Sequence, residues 1–245
     1  SFTAYVLNED VDCAVHCGYL CNELGIDTIS TGAVIGFLFE CAEKGLVSLE
    51  AGGGLDLSWG NGAVLPRLVE MIALREGIGD ILADGVRRAA ETIGGGAERF
   101  AVHVKGLEGP CHDPRAGKTL AVSYGTGNRG MCHIHPLETV AYDCSHTDFG
   151  LIPFGLPDPN QFGRWDEEGK GEATRILQDG GVLPDILGTC KFYMYVGITP
   201  KEYAAMLSAL TGWKVTGEEL LETAERVTNL QRLFNCREGF GREQD

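Results

Sequence analysis

Two six-residue stretches, Asn22-Glu23-Leu24-Gly25-Ile26-Asp27 and Asp185-Ile186-Leu187-Gly188-Thr189-Cys190, share a frame that restricts what the chain can build around them. Each has an amide or acid first, Leu-Gly at positions three and four, and an acid or thiol last. Gly25 sits where a left-handed helix C-cap would sit. Thr28, Ser30 and Thr31 then offer N-caps for the apolar run that follows. The first stretch therefore predicts a helix end, a sharp turn and a helix start, with Asp27 in the corner. Two such corners could grip two sides of one ligand.

The pattern around the corners is helical. Asp10 or Asn8 caps a predicted helix running to about Leu24. A second runs from about Thr31 to Lys44, apolar around most of its circumference, as buried helices are. Asn61 caps a third to about Arg75, and a fourth spans about Asp80 to Ile93 before Gly94-Gly95-Gly96. No strand-like alternation interrupts them. From Ala101 to Cys132 the chain turns aperiodic and rich in Gly, His, Pro and Arg, which marks a functional loop region. A boundary near Val102 divides the chain into domains 1–102 and 103–245. A second irregular stretch spans Asp143 to Trp165. Three helices close the chain, about Asp166 to Gln178, Pro200 to Leu210 and Thr216 to Asn235, the last opening on a Thr216–Glu219 capping box. The expected fold is mainly α, multihelical and two-lobed.

With 245 residues, 44% hydrophobic and 22% charged, the composition is that of an ordinary globular protein. A net charge of −15 argues against nucleic acid or an anionic membrane as partner. The longest apolar run, Ala33 to Phe39, is too short for a membrane span, and no signal-peptide pattern is visible. Nine cysteines, an odd number outside any small secreted scaffold, read as free or metal-bound thiols in a reducing, cytoplasmic compartment. The chain opens on Ser1 rather than Met, which reads as a piece of something longer.

Asp27 and Asp185 are the first chemical candidates, because a carboxylate accepts two parallel N–H bonds from a planar donor pair. The plainer alternative is that each caps a helix. Cys13, Cys17 and Cys21 recur every four residues. Cluster-binding cysteines favour CxxC-type spacing in a loop, so a buried packing seam is the preferred reading here. Cys111-His112-Asp113-Pro114-Arg115 and Asn128-Arg129-Gly130-Met131-Cys132-His133-Ile134-His135 hold enough metal-capable side chains for zinc, although CHxH is not an established zinc spacing. His133 suits a general acid or base near neutral pH, or a structural hydrogen-bonder. Arg115, Arg129 and Arg164 could meet an anion or brace loop carbonyls. Phosphate-loop and nucleophile-elbow motifs are absent. Spacing alone leads to a helical, enzyme-like domain with a loop-built site.

The motifs CNELGIDTISTG, WGN at 59–61, REGIGDILADG at 75–85, HDPR at 112–115, NRGMCHIH at 128–135, DILGTC at 185–190 and RLFN at 232–235 occur in order. Together they resemble the C-terminal part of the tungsten-containing aldehyde:ferredoxin oxidoreductase family, across nearly the whole chain. The resemblance implies two all-helical domains and a metal held between two pyranopterin dithiolenes. It implies pterin contacts from both corners, at Asn22, Ile26 and Asp27 and at Asp185 and Thr189. It makes Cys190 one thiolate ligand of a [4Fe–4S] cluster and His133 the active-site histidine that handles protons near the metal. Asn22 stands where the first corner usually has Asp, Ile26 and Thr189 replace Leu, and His135 stands near the cofactor where aldehyde-oxidising members can have Lys.

GLEGPCHDPR with GMCHIHP looks closer to the branch holding the tungsten subunit of benzoyl-CoA reductases. The family's N-terminal pterin domain, its CxxCxxxC cluster motif and an upstream active-site glutamate are not in the sequence. One cysteine cannot hold a cubane, so the chain alone is expected to be inactive and to bind neither tungsten (or molybdenum) bis-pyranopterin nor cluster. The leading expectation is the helical part of an aldehyde-oxidising enzyme that passes electrons to ferredoxin. The expected partners are the missing N-terminal domain, a ferredoxin-like carrier, a small aldehyde or acyl-CoA substrate and, as an open alternative to a monomer, a second copy of the chain. The alternatives are an aromatic acyl-CoA reductase subunit and a non-catalytic helical interaction module. Cys190 separates enzyme from module, since it must be open in the first and buried in the second.

Overall fold

The computed structural model describes every residue except 136–138, 146–147, 242 and 244–245. The chain divides into two compact units, Ser1–Cys111 and His112–Asp245. Helix dominates both.

The first unit contains α1 (Val11–Leu24), α2 (Thr28–Glu43), α3 (Leu65–Leu74), α4 (Ile78–Leu82) and α5 (Gly85–Ile93). A short antiparallel hairpin follows, β1 (His103–Val104) with β2 (Leu107–Glu108). Helix α2 is the core element, burying Val34, Ile35, Phe37, Leu38, Phe39 and Cys41. It starts at Thr28, three residues before the sequence expectation, because Asp27 itself is the N-cap. Cys17 and Cys21 of α1 are fully buried in the same core, and Cys13 packs against it. Burial pushes all three thiols up, Cys17 to about 12, so they stay protonated and inert as the packing reading requires.

The predicted helix over 80–93 is two helices, broken at Asp84–Gly85, where Gly85 takes a positive φ of 83°. The start of α5 has no local cap. Instead the buried Glu108 carboxylate accepts from the Val86 amide at 2.7 Å. The Tyr5 hydroxyl also donates to the Gly109 carbonyl. These two bonds tie the hairpin into the first unit, which therefore extends to Cys111, beyond the boundary expected near Val102.

The second unit contains α6 (Lys118–Thr126), α7 (Thr139–Ser145), α8 (Lys170–Leu187), α9 (Pro200–Thr211) and α10 (Gly217–Arg237). Tyr142, Leu177, Leu183, Tyr203, Leu220 and Ala224 lie in its core. The Thr216–Glu219 capping box forms as expected, with reciprocal amide bonds of 3.2 and 2.8 Å. Helix α6 falls in the first stretch that reads as irregular and α7 runs into the start of the second; residues 146–147 of the second stretch lie outside the described residues. The reason α6 is hidden is tertiary: its first turn is capped by Asp143, which accepts from the Thr119 and Leu120 amides at 2.9 and 3.3 Å. Asp143 also takes the Thr119 hydroxyl at 2.6 Å and the Lys170 ammonium at 2.8 Å, all buried. One carboxylate of α7 thus locks the start of α6 and the start of α8 together. Among the described residues no single helix is long and apolar enough to cross a membrane.

Candidate functional site

The two corners are conformational copies. Helix α1 ends on Gly25 at φ 71° and α8 on Gly188 at φ 67°. In each, the amide after the glycine reaches back five residues at 2.9 Å, Ile26 to the Cys21 carbonyl and Thr189 to the Pro184 carbonyl. This is the Schellman closure, which needs a residue free to adopt positive φ. The next residue is extended in both, Asp27 at φ −72°, ψ 129° and Cys190 at φ −70°, ψ 129°. Each then heads a new helix, α2 or the 3-10 segment Lys191–Val196. The shared sequence frame therefore encodes a shared backbone, with the acid of one corner and the thiol of the other in equivalent positions.

The side chains of the two corners are used differently. Asp27 does cap α2, its Oδ2 accepting from the Ser30 amide at 2.7 Å. It is exposed and, with Ile26, lines a cleft of about 320 Å³ that Arg75 and Gly85 also border. Arg75 is held there by Asp80 at 2.9 Å and Asp84 at 2.7 Å. Asn22 is exposed on the last turn of α1. Asp185 is no cap. Its Oδ2 lies 2.7 Å from the Lys191 ammonium and 3.6 Å from His135 Nδ1. Thr189 is half-buried against the Tyr203 hydroxyl at 3.5 Å, and Cys190 is exposed, the state that the enzyme reading requires.

Loop 127–135 of the second unit carries the histidines. The His133 ring lies 5.0 Å from that of His112. Burial, then the charges of His112 and Arg129, push His133 below its ordinary value, so it is neutral at pH 7 and able to accept a proton. His135 Nε2 lies 3.2 Å from Gln231 Oε1 on α10. Burial lowers His135 as well, aided by the Lys191 cation and opposed by Gln231 and Asp185. A cleft of about 400 Å³ opens between Asn128, His135, Gln231, Phe234 and Asn235. Its walls are braced from α10: Asn235 donates to the Asn128 carbonyl at 2.7 Å, Arg232 donates to the Thr126 carbonyl, and Asn128 donates to the Thr228 carbonyl at 2.9 Å. This explains why the 128–135 and 232–235 motifs occur together.

Zinc finds no place among these loops. No three His, Cys, Asp or Glu side chains come together to hold a metal ion among the described residues. The Asp113 carboxylate is occupied by Arg115 at 2.6 Å, which holds it down at about 2. The Cys132 sulfur accepts from Arg129 at 3.4 Å. Arg164 donates to the Ala116 carbonyl at 2.7 Å and lies over the Trp165 ring. Of the three arginines, only Arg164 braces a loop carbonyl in these bonds; Arg115 pairs with a carboxylate two residues away and Arg129 with a thiol three residues away. Lys191 and Gln231 were missed in the sequence: one is merely the neighbour of Cys190, the other lies on a polar face of α10.

The family model for aldehyde ferredoxin oxidoreductase, domains 2 and 3, matches residues 1–245, and the chain belongs to that family. The tungsten-containing aldehyde ferredoxin oxidoreductase of Pyrococcus furiosus is 36% identical over 237 residues, 96% of this chain and 37% of the relative. The enzyme of the same name from Thermococcus kodakarensis is 36% identical over the same span. The WOR-like subunit of aliphatic sulfonate oxidoreductase from Pyrococcus furiosus is 30% identical over 90% of this chain and 31% of its own length. Among solved structures, the active-site complex BamBC of benzoyl coenzyme A reductase, in complex with 1,5-dienoyl-CoA, matches with a TM-score of 0.74 at 25% identity. That match covers 96% of this chain and 40% of the other. The chain thus spans well under half the length of the relatives that it matches.

Proposed function

We propose that this chain is the helical part of a tungsten bis-pyranopterin oxidoreductase that oxidises aldehydes to carboxylates and passes electrons to a ferredoxin-like carrier. The observation that carries the reading is the pair of conformationally identical corners, one presenting Asp27 and the other Cys190. The residues fit the group in part. Asp27 and Asp185 are exposed acceptors suited to the donor edge of a pterin, and Cys190 is an open thiol of the kind iron binds. A cubane needs four ligands, so three come from the domain that precedes this part in full-length relatives. When bound, the tungsten centre supplies the two-electron chemistry and the cluster carries electrons away singly.

This chain's own residues supply the rest. Asp27 and Asp185, with Asn22, Ile26 and Thr189 beside them, orient the two pterin edges. His133, neutral at pH 7, takes up the proton released as water adds to the aldehyde carbon. His135, braced by Gln231 at 3.2 Å, stands where, by the family resemblance, aldehyde-oxidising members can have Lys. That substitution, with the benzoyl-CoA reductase neighbour, favours reduction of an aromatic acyl-CoA as the second reading. The free cysteines fit a reducing, cytoplasmic setting.

Co-expression of the chain with its natural upstream sequence tests the reading. Stoichiometric tungsten, a [4Fe–4S] absorbance band and viologen reduction by aldehydes are expected. Benzoyl-CoA turnover without aldehyde turnover would select the second reading. A full-length protein free of tungsten and iron would leave only an interaction module. The chain alone is expected to carry neither metal, and stoichiometric tungsten on it would overturn the division of labour.

A further inference from the structure

The ammonium of Lys191 is the meeting point of the second unit's site. Its Nζ donates to Asp185 Oδ2 at 2.7 Å, to the Ile134 carbonyl at 2.9 Å and to the Gly181 carbonyl at 3.1 Å. An ammonium has three N–H donors, and all three are used. The side chain is largely buried, at 16% exposure. The acceptors come from two segments: the last turns of α8, through the Asp185 carboxylate and the Gly181 carbonyl, and the loop residue between His133 and His135. Lys191 is also the residue after Cys190, at the start of the 3-10 segment that the cysteine heads.

We propose that Lys191 is a positioning residue of this site, a tie that, beside the 3.6 Å approach of His135 Nδ1 to Asp185 Oδ2, fixes the His133–His135 loop, the Asp185 carboxylate and the Cys190 backbone relative to one another. The proposal rests on the functional reading above for the roles of those three groups, but the tie itself does not. A flexible loop carrying a proton acceptor gains from such a tie, because misplacement by about 1 Å can cost roughly 10²-fold in rate. Met at this position keeps the stem and removes every donor. Arg keeps charge and donors with a different fork geometry, so it restores part of the function.

The first test needs no cofactor. In the chain as it stands, Lys191→Met is expected to raise amide exchange across 131–135 and 188–196 by about tenfold or more, with α1 to α5 unmoved. His135 is faced by Lys191, Asp185, Arg129 and Gln231. Loss of the cation is expected to move its titration upward by NMR. Lys191→Arg is expected to reverse most of both effects. Asp185→Asn removes the charge of one partner at an exposed position and leaves only a weaker amide-oxygen acceptor for the ammonium, and is expected to loosen the same two segments, by less than Lys191→Met, should Lys191→Met fail to fold. Unchanged exchange and titration in Lys191→Met, or in Asp185→Asn should Lys191→Met be unfolded, would overturn the tie. In the full-length enzyme, Lys191→Met is expected to lower kcat about 10- to 100-fold with little change in KM, and Lys191→Arg to recover it. Intact kcat in Lys191→Met would overturn the positioning role. A wild-type full-length protein without tungsten would instead sink the functional reading and leave the tie to the exchange data.

Discussion

Replacing Lys170 by Met gives a sharp test of how the second unit is held together. The Lys170 and Asp143 side chains are 3% and 1% exposed and 2.8 Å apart. Removing one member of a buried pair typically costs about 3–5 kcal/mol, because the other charge is left without its counter-ion. Asp143 retains the Thr119 amide and hydroxyl and the Leu120 amide, so the lower end, about 3 kcal/mol, is expected. That is a large share of the roughly 5–15 kcal/mol that a domain has, and roughly a 6–12 °C fall in Tm. Of the three tryptophans, Trp59 lies in the first unit and Trp165 and Trp213 in the second. In a Trp59→Phe background, tryptophan fluorescence during urea unfolding therefore reports on the second unit alone. The double variant Lys170→Met with Asp143→Asn keeps an acceptor for the α6 cap and removes the stranded charge, so it is expected to recover more than half of the loss. A loss below about 1 kcal/mol in Lys170→Met, or a double variant as weak as the sum of the singles, would refute the argument.

Three further outcomes follow from other contacts. Burial pushes Asp179 up to about 6, above the value it has when unfolded. Its stabilising contribution is complete below the unfolded pKa and is lost as pH rises through about 6. Asp179→Asn should therefore gain on wild type by about 2–3 kcal/mol above pH 6 and match it near pH 4, measured by urea unfolding across that range. Asp27→Ala should cost about 1 kcal/mol through the lost α2 cap, and Asp27→Asn only a few tenths, by thermal unfolding. If Asp27 also clamps a pterin, both variants of the full-length enzyme lose tungsten by metal analysis, whereas a mere cap lets Asp27→Asn retain it. A Cβ on Gly79 would clash with the Met71 carbonyl carbon and oxygen, which are backbone atoms that cannot swing aside. Gly79→Ala should cost about 3 kcal/mol or more, and a loss under 1 kcal/mol would mean that α3 and α4 shift freely.

Much of the helical layout was legible because its signals are local. Gly25, Thr216 with Glu219, and the all-round apolar α2 act within a few residues of where they stand. The two corners were legible for the same reason, since a Schellman end is built from six consecutive residues. The α4–α5 break and helix α6 were not legible. Their caps, Glu108 and Asp143, arrive from 22 and 24 residues away. His133 could be singled out from its motif, but its neutrality comes from burial and from the His112 ring, which only packing supplies.

The locally capped helices, the twin corners and the family could be read from the chain before any packing was known, because local caps, periodicity and ordered motifs are all properties of the chain in one dimension. Which charges are neutralised, and by whom, is set by packing. Arg115 takes up the Asp113 carboxylate, Lys170 lets Asp143 be buried, and Lys191 joins a carboxylate and a carbonyl of α8 to a carbonyl of the 127–135 loop. The physical reason is that a charge is stabilised by whatever donors and acceptors lie within a few ångströms, and folding sets those distances independently of separation along the chain.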